Sequence, residues 1–301
     1  MSRSEPMIAA IGDHIITVFG QRIRVRIRPG RGIPLVLCNG IGAGLEVLAP
    51  IVDGLDLEIP VVSFDVPGTG ESPHSPLPYG FPYLAWLLGR ILDKLGIDRV
   101  DLLGLSWGGA VAQQFAFQNP RRCRRLVLVS AATGVLMVPA HPRVLVKMVT
   151  PRRFRDPEYA TDIAAASYGG TARTDPERVA ELFHRQVHAG SLRGYLYQLL
   201  AGSLWTSLPA LWAIRQPTLI VAGTDDPIIP VVNARIMHRM LPHSTLHLHP
   251  GGHVDVVTDA ATFGPVISGF LRSARARPRP TRAPTAGDRY RIDDVRRAPR
   301  I

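Results

Sequence analysis

The sequence predicts an α/β protein: a mostly parallel eight-stranded sheet, with helices on both faces and one helical insertion. Short runs rich in β-branched residues alternate with amphipathic segments of helical period along most of the chain. This alternation is the order of elements that builds parallel sheets. Several of the strand runs are apolar throughout, as expected where a sheet is buried on both faces. With 301 residues, 46% of them hydrophobic, the chain can bury one large core.

The predicted elements follow from these periods and from the glycines and prolines between them. We expect strands at residues 14–19, 21–28, 33–38, 59–65, 100–105, 125–130, 217–223 and 244–249. We expect helices at 81–95, 110–116, 176–189, 192–202, 231–241 and 256–273. In the second strand Arg22, Arg24, Arg26 and Arg28 alternate with apolar residues. We interpret this arginine row as the solvated face of an edge hairpin, since edge strands commonly carry charge.

The chain divides into three predicted regions. Residues 1–133 and 213–272 form the α/β core, and 134–212, where prolines break up short apolar segments, form a helical lid inserted after the sixth strand. Residues 273–301 are rich in arginine and proline and predict a disordered basic tail. From Arg272 onward the chain has a net charge of +7 out of the total +11, so the body itself is only weakly basic. Nucleic-acid binding is therefore not expected.

The cysteine count and the hydropathy pattern bear on location. The only two cysteines are Cys38 and Cys123, both in or beside predicted strands. Such sparse cysteine use favours a reduced, cytoplasmic compartment. No apolar segment has the features expected of an export signal or a transmembrane span.

A serine between a predicted strand and a predicted helix is the main candidate for chemistry. It lies in Gly104-Leu105-Ser106-Trp107-Gly108-Gly109. Glycine two residues to either side of Ser106 is typical of a nucleophile elbow, in which the hydroxyl stands clear of the sheet. The alternative is an ordinary helix-capping serine. In the elbow, the Trp107 N–H lies at a helix N-terminus, where negative charge is favoured.

The loop after the third strand, Asn39-Gly40-Ile41-Gly42-Ala43-Gly44, contains three glycines in five positions. Such a loop lets the backbone approach a ligand closely. A dinucleotide-binding loop is disfavoured, because the spacing does not match G-x-G-x-x-G. We expect the loop to face Ser106 and the Ile41 N–H to be a second oxyanion donor beside that of Trp107.

A nucleophilic serine needs a base and an acid that orients the base. In folds with this elbow the chain order is serine, acid, histidine. The seventh strand ends in Gly223-Thr224-Asp225-Asp226-Pro227, and either aspartate could orient the base. The spacing favours Asp226, while Asp225 fits a role in the turn. After the last strand, Pro250-Gly251-Gly252-His253 presents His253 as the base.

His243, His247, His249 and His253 also resemble a metal-binding tract in their spacing. We do not expect a metal, because no carboxylate or cysteine is positioned to complete the site. No cofactor is expected either.

These motifs, taken together, resemble the α/β-hydrolases, and more closely the intracellular medium-chain-length poly(3-hydroxyalkanoate) depolymerases. The resemblance covers roughly residues 10–272. Besides the loop, the elbow and the Asp-Asp-Pro turn, it rests on residues 64–68, 137–139, 151–153, 168–170 and 205–207. It implies the α/β-hydrolase fold and places the family's serine, aspartate and histidine on Ser106, Asp226 and His253. The arginine-rich tail and Val254-Asp255-Val256 depart from the family pattern.

The resemblance further implies a cytoplasmic enzyme that hydrolyses a polyester of medium-chain 3-hydroxy acids, stored as granules. The apolar lid residues fit such a substrate, and among them we expect Met137, Tyr195 and Trp205 to contact it. A general carboxylesterase or a carbon–carbon bond hydrolase on the same fold is the alternative. A catalytically silent protein that uses its basic tail at a granule surface or on nucleic acid is disfavoured by the complete Ser106, Asp226 and His253 set.

Overall fold

The computed structural model describes residues 12–184 and 190–273, and its strands form the predicted eight-stranded sheet. The strands are β1 (Gly12–Val18), β2 (Gln21–Arg28), β3 (Leu35–Cys38), β4 (Val61–Phe64), β5 (Val100–Leu105), β6 (Cys123–Val129), β7 (Thr218–Gly223) and β8 (Ser244–His249). Their order in the sheet is β1-β2-β4-β3-β5-β6-β7-β8. The β1–β2 and β2–β4 pairs are antiparallel, and all other pairs are parallel.

The helices are α1 (Ala49–Gly54), α2 (Phe81–Lys94), α3 (Trp107–Gln118), α4 (Pro142–Met148), α5 (Pro157–Tyr168), α6 (Pro176–His184), α7 (Leu192–Ser203), α8 (Val232–Met240), α9 (Asp255–Thr258) and α10 (Ala260–Arg272). They agree with the prediction at α2, α3, α7 and α8 and differ from it elsewhere. The prediction missed α1, α4 and α5. The single closing helix expected at 256–273 is wrong, because the chain breaks at Asp259, which has non-helical backbone angles.

Both faces of the sheet are buried, as the apolar strands predict. Leu35 and Leu37 belong to one hydrophobic cluster, whereas Val36 and Cys38 belong to another. Alternate side chains of one strand point to opposite faces, so the two clusters are the two sides of the sheet. Residues of α2, α3 and α8 cover one side, residues of α1 and α10 cover the other, and the insertion contributes residues to both.

The helices α4–α7 are inserted between β6 and β7, and we call this segment the lid. The predicted lid bounds, 134–212, lie between the end of β6 and the start of β7, and the division into domains stays a prediction. The predicted disordered tail lies outside the described residues, except for Ser273. Within residues 12–184 and 190–273, no helix is both long and apolar enough to cross a membrane.

The prediction of a solvated arginine face on β2 is wrong for Arg24. Strand β2 lies between β1 and β4, so the edge of the sheet is β1. Arg24 is 3% exposed, and its guanidinium lies within 4 Å of carboxylate oxygens of Asp13, Glu46, Asp65 and Glu71. Buried charges require partners, and these four carboxylates supply them.

Strands β3, β5, β7 and β8 are parallel, so their carboxyl ends lie at one edge of the sheet. The loops that follow them carry Ile41, Ser106, Asp226 and His253. In open α/β sheets this edge is where ligands bind.

Candidate active site

Ser106 occupies the turn between β5 and α3, with backbone angles φ 53° and ψ −119°. A positive φ is strained for a residue with a side chain, and such strain is concentrated at functional sites. Glycines make the turn possible. A Cβ at Gly104 would lie 2.5 Å from the Gly108 carbonyl oxygen, and a Cβ at Gly108 would lie 2.0 Å from that of Cys38. The turn has the geometry of a nucleophile elbow.

His253 and Asp226 are in direct contact. Nδ1 of His253 lies 2.8 Å from Oδ2 of Asp226, and the two side chains are 6% and 1% exposed. The other carboxylate oxygen, Oδ1, accepts hydrogen bonds from the Ile228 and Ile229 N–H groups, each at 2.9 Å. These two bonds hold the carboxylate, so that Oδ2 is available to orient the imidazole. His253 and Ser106 line the same cavity.

Asp225 makes different contacts from its neighbour. Its Oδ2 accepts hydrogen bonds from the Gly170 N–H and from Nε of Arg173, both at 2.7 Å. Arg173 also donates from Nη2 to Oδ1 at 2.9 Å, which makes the pair bidentate. Arg173 holds the pKa of the Asp225 carboxyl below its usual value, chiefly through the hydrogen bond. Asp225 therefore ties the lid to the core, while Asp226 faces the histidine.

The two predicted oxyanion donors belong to the residue after Ser106 and to a loop that passes close to Ser106. Trp107 is the first residue of α3, so its N–H has no partner within the helix. The loop that carries Ile41 passes beside the serine, since a Cβ at Gly40 would lie 3.9 Å from Cβ of Ser106. Among the residues that the structure describes, no protein acceptor is hydrogen-bonded to either N–H. Both groups are available to a ligand.

Gln198 of the lid, which the sequence did not single out, contacts both of the predicted oxyanion elements. Its Oε1 accepts a hydrogen bond from the Gly42 N–H at 2.9 Å, one residue after Ile41. Its backbone carbonyl accepts one from Nε1 of Trp107 at 3.0 Å. Gln198 is fully buried. No local pattern marks it, because both partners lie more than ninety residues away in the chain.

Two cavities meet at Ser106. Met137, Leu145 and Ser106 line both of them. The larger cavity is about 440 Å³ and mainly apolar, and its other walls include Phe81, Trp107, Ala110, Ala132, Trp205 and Ile229. The smaller cavity is about 140 Å³, and its other walls include Ile41, Arg153, Phe154, Tyr168, Phe183 and His253. An ester bound across Ser106 would place one part in each cavity.

The predicted substrate contacts divide between these cavities and the protein interior. Met137 lines both cavities and Trp205 lines the larger one. Tyr195 lines neither. It is 2% exposed, and its hydroxyl accepts a hydrogen bond from Arg153 and donates one to the Met148 carbonyl. The structure thus brings two of the three residues to the site and keeps Tyr195 beneath it.

The histidines of β8 pack against α10. The centroids of the His249 and Phe263 rings lie 4.7 Å apart, and Nδ1 of His249 accepts a hydrogen bond from the Gly251 N–H at 3.1 Å. Burial lowers the pKa of His249. In the part of the chain that the structure describes, no three His, Cys, Asp or Glu side chains are grouped to hold a metal ion.

Neither cysteine is suited to act as a nucleophile. Both are free and buried. Burial raises the pKa of the Cys38 thiol to about 12 and that of Cys123 also far above its usual value. Because only the thiolate is a good nucleophile, both thiols stay inert near neutral pH.

The turn that carries His253 is held by the lid. The His253 N–H donates to the Tyr168 carbonyl at 2.7 Å. Asp255 accepts from the Gly252 N–H at 3.0 Å and from the Thr171 N–H at 3.1 Å. Asp255 is part of the sequence's departure from the family pattern, and its carboxylate joins the histidine turn to the lid.

The fold and this arrangement define a class of protein, and comparison with known sequences gives the same answer. Residues 33–260 match the family described as the α/β hydrolase fold, so the chain belongs to the α/β-hydrolase family. The resemblance stated from the sequence is confirmed. The chain is 45% identical over 266 residues to the poly(3-hydroxyalkanoate) depolymerase of Ectopseudomonas oleovorans, covering 86% of this chain and 94% of the relative.

Two further comparisons show how widely the fold is shared. The 2-hydroxy-6-oxo-2,4-heptadienoate hydrolase of Pseudomonas putida is 30% identical over 260 residues, covering 80% of this chain and 90% of that relative. The solved α/β hydrolase fold protein from Chitinophaga pinensis is 22% identical, with a TM-score of 0.74, covering 89% of this chain and 99% of that one. The Chitinophaga pinensis protein therefore has the same fold as this chain.

Proposed function

We propose that this protein is a serine hydrolase that cleaves the ester bonds of medium-chain poly(3-hydroxyalkanoate) through an acyl-enzyme. The observation that carries the chemistry is the contact of 2.8 Å between His253 Nδ1 and Asp226 Oδ2, beside a cavity that His253 shares with Ser106. The identity of 45% to a poly(3-hydroxyalkanoate) depolymerase, over nearly the whole relative, supports the substrate.

In the proposed mechanism Asp226 stays ionised and fixes the tautomer of His253, so that the other ring nitrogen can accept a proton. His253 takes the Ser106 proton as the oxygen attacks the ester carbonyl. It then gives this proton to the leaving alcohol. Water, activated by the same imidazole, hydrolyses the acyl-enzyme and restores the serine.

The backbone N–H groups of Ile41 and Trp107 stabilise the oxyanion in both halves of the reaction. A preorganised donor of this kind typically contributes about 100- to 1,000-fold to turnover. Gln198 supports this role, because it fixes the loop that carries one donor and the indole of the residue that carries the other.

The larger cavity is suited to an alkyl-bearing acyl group. Its walls are mainly apolar side chains, among them Trp107, Trp205 and Met137. Burying each methylene contributes about 0.8 kcal/mol, so three additional carbons favour binding about 50-fold. Lid residues such as Leu136, Leu204 and Trp212 are exposed apolar groups that fit contact with a hydrophobic polyester granule. We therefore place the protein in the cytoplasm, at such granules.

The test is clearing of a medium-chain polyester latex by the wild type, with Ser106→Ala as control. We expect clearing and fluorophosphonate labelling by the wild type only. Hydrolysis of small esters without clearing would instead support the general carboxylesterase. A nitrophenyl ester chain-length series and a vinylogous diketone, assayed beside the latex, separate the esterase from a carbon–carbon bond hydrolase.

A further inference from the structure

Arg153 of the lid is a buried cation beside the proposed catalytic residues. It is 3% exposed, and it lines the smaller cavity together with Ser106 and His253. The proposed mechanism gives it no role. A guanidinium at this depth needs compensating interactions, because removing a charge from water costs several kcal/mol.

The contacts of Arg153 compensate its charge only in part. Nη1 donates to the Tyr195 hydroxyl at 2.9 Å and to the Thr150 carbonyl at 3.3 Å, and the guanidinium lies 4.5 Å from the Phe154 ring centroid. Nε is buried and has no hydrogen-bond partner. Among the described residues, no carboxylate forms an ion pair with this arginine.

Two other buried arginines are compensated within the protein. Arg24 is also 3% exposed, and carboxylates of four residues lie within 4 Å of its guanidinium. Arg125, which is 5% exposed and forms no ion pair among the described residues, donates from Nη1 and Nη2 to the Leu271 and Ser273 carbonyls. Arg153 differs from both, because it has no carboxylate partner, its Nε has no acceptor, and its side chain lines the cavity that holds Ser106 and His253.

A second donor without a partner belongs to another residue that lines the same cavity. The hydroxyl of Tyr168 is buried and has no hydrogen-bond partner, and the Tyr168 side chain lines the smaller cavity with Arg153. Polar groups buried without partners are rare in folded proteins, and each one requires an explanation. Among the described residues, eleven buried side-chain nitrogen or oxygen atoms have no partner, and the two that belong to residues lining this cavity can both donate to an anion.

We propose that Arg153 and Tyr168 bind the free carboxylate of the polyester's terminal 3-hydroxy acid unit. This inference rests on the proposed function and specifies which end of the chain the site takes. The terminal unit leaves as the alcohol, and its C3 carries the oxygen of the ester bond that breaks. Its free carboxylate is C1, only two carbons away. His253, which protonates that oxygen, lines the smaller cavity and not the larger one. The leaving unit therefore occupies the smaller cavity, and its carboxylate meets the guanidinium.

The reaction balances as ester hydrolysis at the last linkage. Ser106 Oγ bonds to the penultimate unit's carbonyl carbon, the bond from that carbon to the terminal oxygen breaks, and His253 protonates this oxygen. A free 3-hydroxy acid leaves. Water then releases the shortened chain from Ser106, and a new terminal carboxylate is produced. The site thus regenerates the feature that it recognises, and the product is monomer.

The experiment compares two substrates: the linear dimer of 3-hydroxyoctanoic acid with a free carboxylate, and the same dimer as its methyl ester. For each we measure kcat/KM for release of the alcohol-side unit. We expect the wild type to prefer the free acid about 10- to 100-fold, the effect of hydrogen bonds to a charged group. Arg153→Gln should abolish the preference, and Tyr168→Phe should reduce it. Arg152→Gln, at the adjacent and exposed arginine, is the matched control and should keep it.

The preference ratio separates this role from a structural one, since general damage to the site lowers both rates together. Equal cleavage of the two dimers by the wild type overturns the proposal, as does an unchanged preference in both Arg153→Gln and Tyr168→Phe. Cleavage of neither dimer contradicts the proposed function itself. If Arg153→Gln does not fold, the wild type supplies a second readout. Inhibition by 3-hydroxyoctanoate and not by its methyl ester supports the proposal, and equal inhibition overturns it.

Discussion

The backbone carbonyl of Gln198 in the lid accepts a hydrogen bond at 3.0 Å from the indole of Trp107, the residue that follows the proposed nucleophile. The Gln198 side chain accepts a second bond from the loop that carries Ile41, the other proposed oxyanion donor. The lid is therefore joined to the proposed oxyanion site through one buried residue.

Gln198→Ala should lower kcat by about 10- to 100-fold with little change in KM, because the Gly42 N–H loses its acceptor and the Ile41 donor is no longer fixed. The measurement is steady-state kinetics with a soluble nitrophenyl ester. Leu196→Ala, at an exposed position of the same helix, is the control and should stay within about twofold. A change confined to KM would assign Gln198 to substrate binding instead.

Asp226→Asn should reduce kcat by about 10⁴-fold, because an amide N–H facing Nδ1 stabilises the wrong tautomer of His253. The fold should persist, since a side-chain oxygen can still accept from Ile228 and Ile229. Asp225→Asn is the matched control: it weakens the pair with Arg173 and should cost activity less than about tenfold. Equal losses in the two variants would contradict the assignment of Asp226.

Gly42→Ala should destabilise the protein and disturb the oxyanion loop. Gly42 has φ +72°, and a Cβ there would lie 2.7 Å from the Phe154 ring and 2.8 Å from the Tyr195 ring. Gly32→Ala is the matched control, because Gly32 has φ +93° with no atom within 4 Å of its Cβ position. The control should cost about 1 to 2 kcal/mol through backbone strain alone. Urea unfolding should show a larger loss for Gly42→Ala, and kcat should fall only in that variant.

Asp65 should make stability depend on pH. Burial raises the pKa of its carboxyl to about 6. The hydrogen bonds from the Glu71 and Leu45 backbone N–H groups and the charge of Arg24 lower this pKa, but their effect is smaller. The folded state then binds this proton more tightly than the unfolded state, so the group lowers stability as pH rises from about 4 to 6. The free energy of unfolding of the wild type minus that of Asp65→Asn should fall across this interval by about 1 to 3 kcal/mol.

The contribution of Asp13 to the free energy of unfolding should change with pH in the opposite direction. The hydrogen bond from Arg26 lowers the pKa of its carboxyl to about 2, so its contribution is lost as pH falls from about 4 to 2. Both slopes are measured by urea unfolding across pH. A difference between wild type and Asp65→Asn that is constant with pH would show that burial does not shift this group.

The sheet could be predicted from the sequence because its signal is local. Strands at 100–105 and 244–249 have the predicted bounds, because the residues of each strand and the turns that flank it are adjacent in the sequence. The loops that carry Ser106, Asp226 and His253 follow from chain order and from the edge of a parallel sheet. Their catalytic roles stay a prediction.

The features that the sequence missed depend on contacts between distant residues. The alternation on β2 predicted an exposed Arg24, because it does not reveal that carboxylates from Glu46 and from the segment after β4 pack around its guanidinium. The burial of Tyr195 and the contacts of Gln198 depend on how the lid packs on the core. Arg153 and Tyr168 lie in stretches that supported the family resemblance, yet only the structure shows that a guanidinium nitrogen and a hydroxyl there have no partner.

The hydrogen bond from the His253 N–H to the Tyr168 carbonyl has a consequence for protein engineering. Exchanging lids between homologues is an obvious way to change the substrate, but here the lid also supports the turn that carries the proposed general base. A graft that stops at the ends of the insertion separates Tyr168 and Thr171 from Gly252, His253 and Asp255. A change of lid therefore alters the support of the histidine turn as well as the substrate cavity. A chimera should take the histidine turn from the same homologue as the lid.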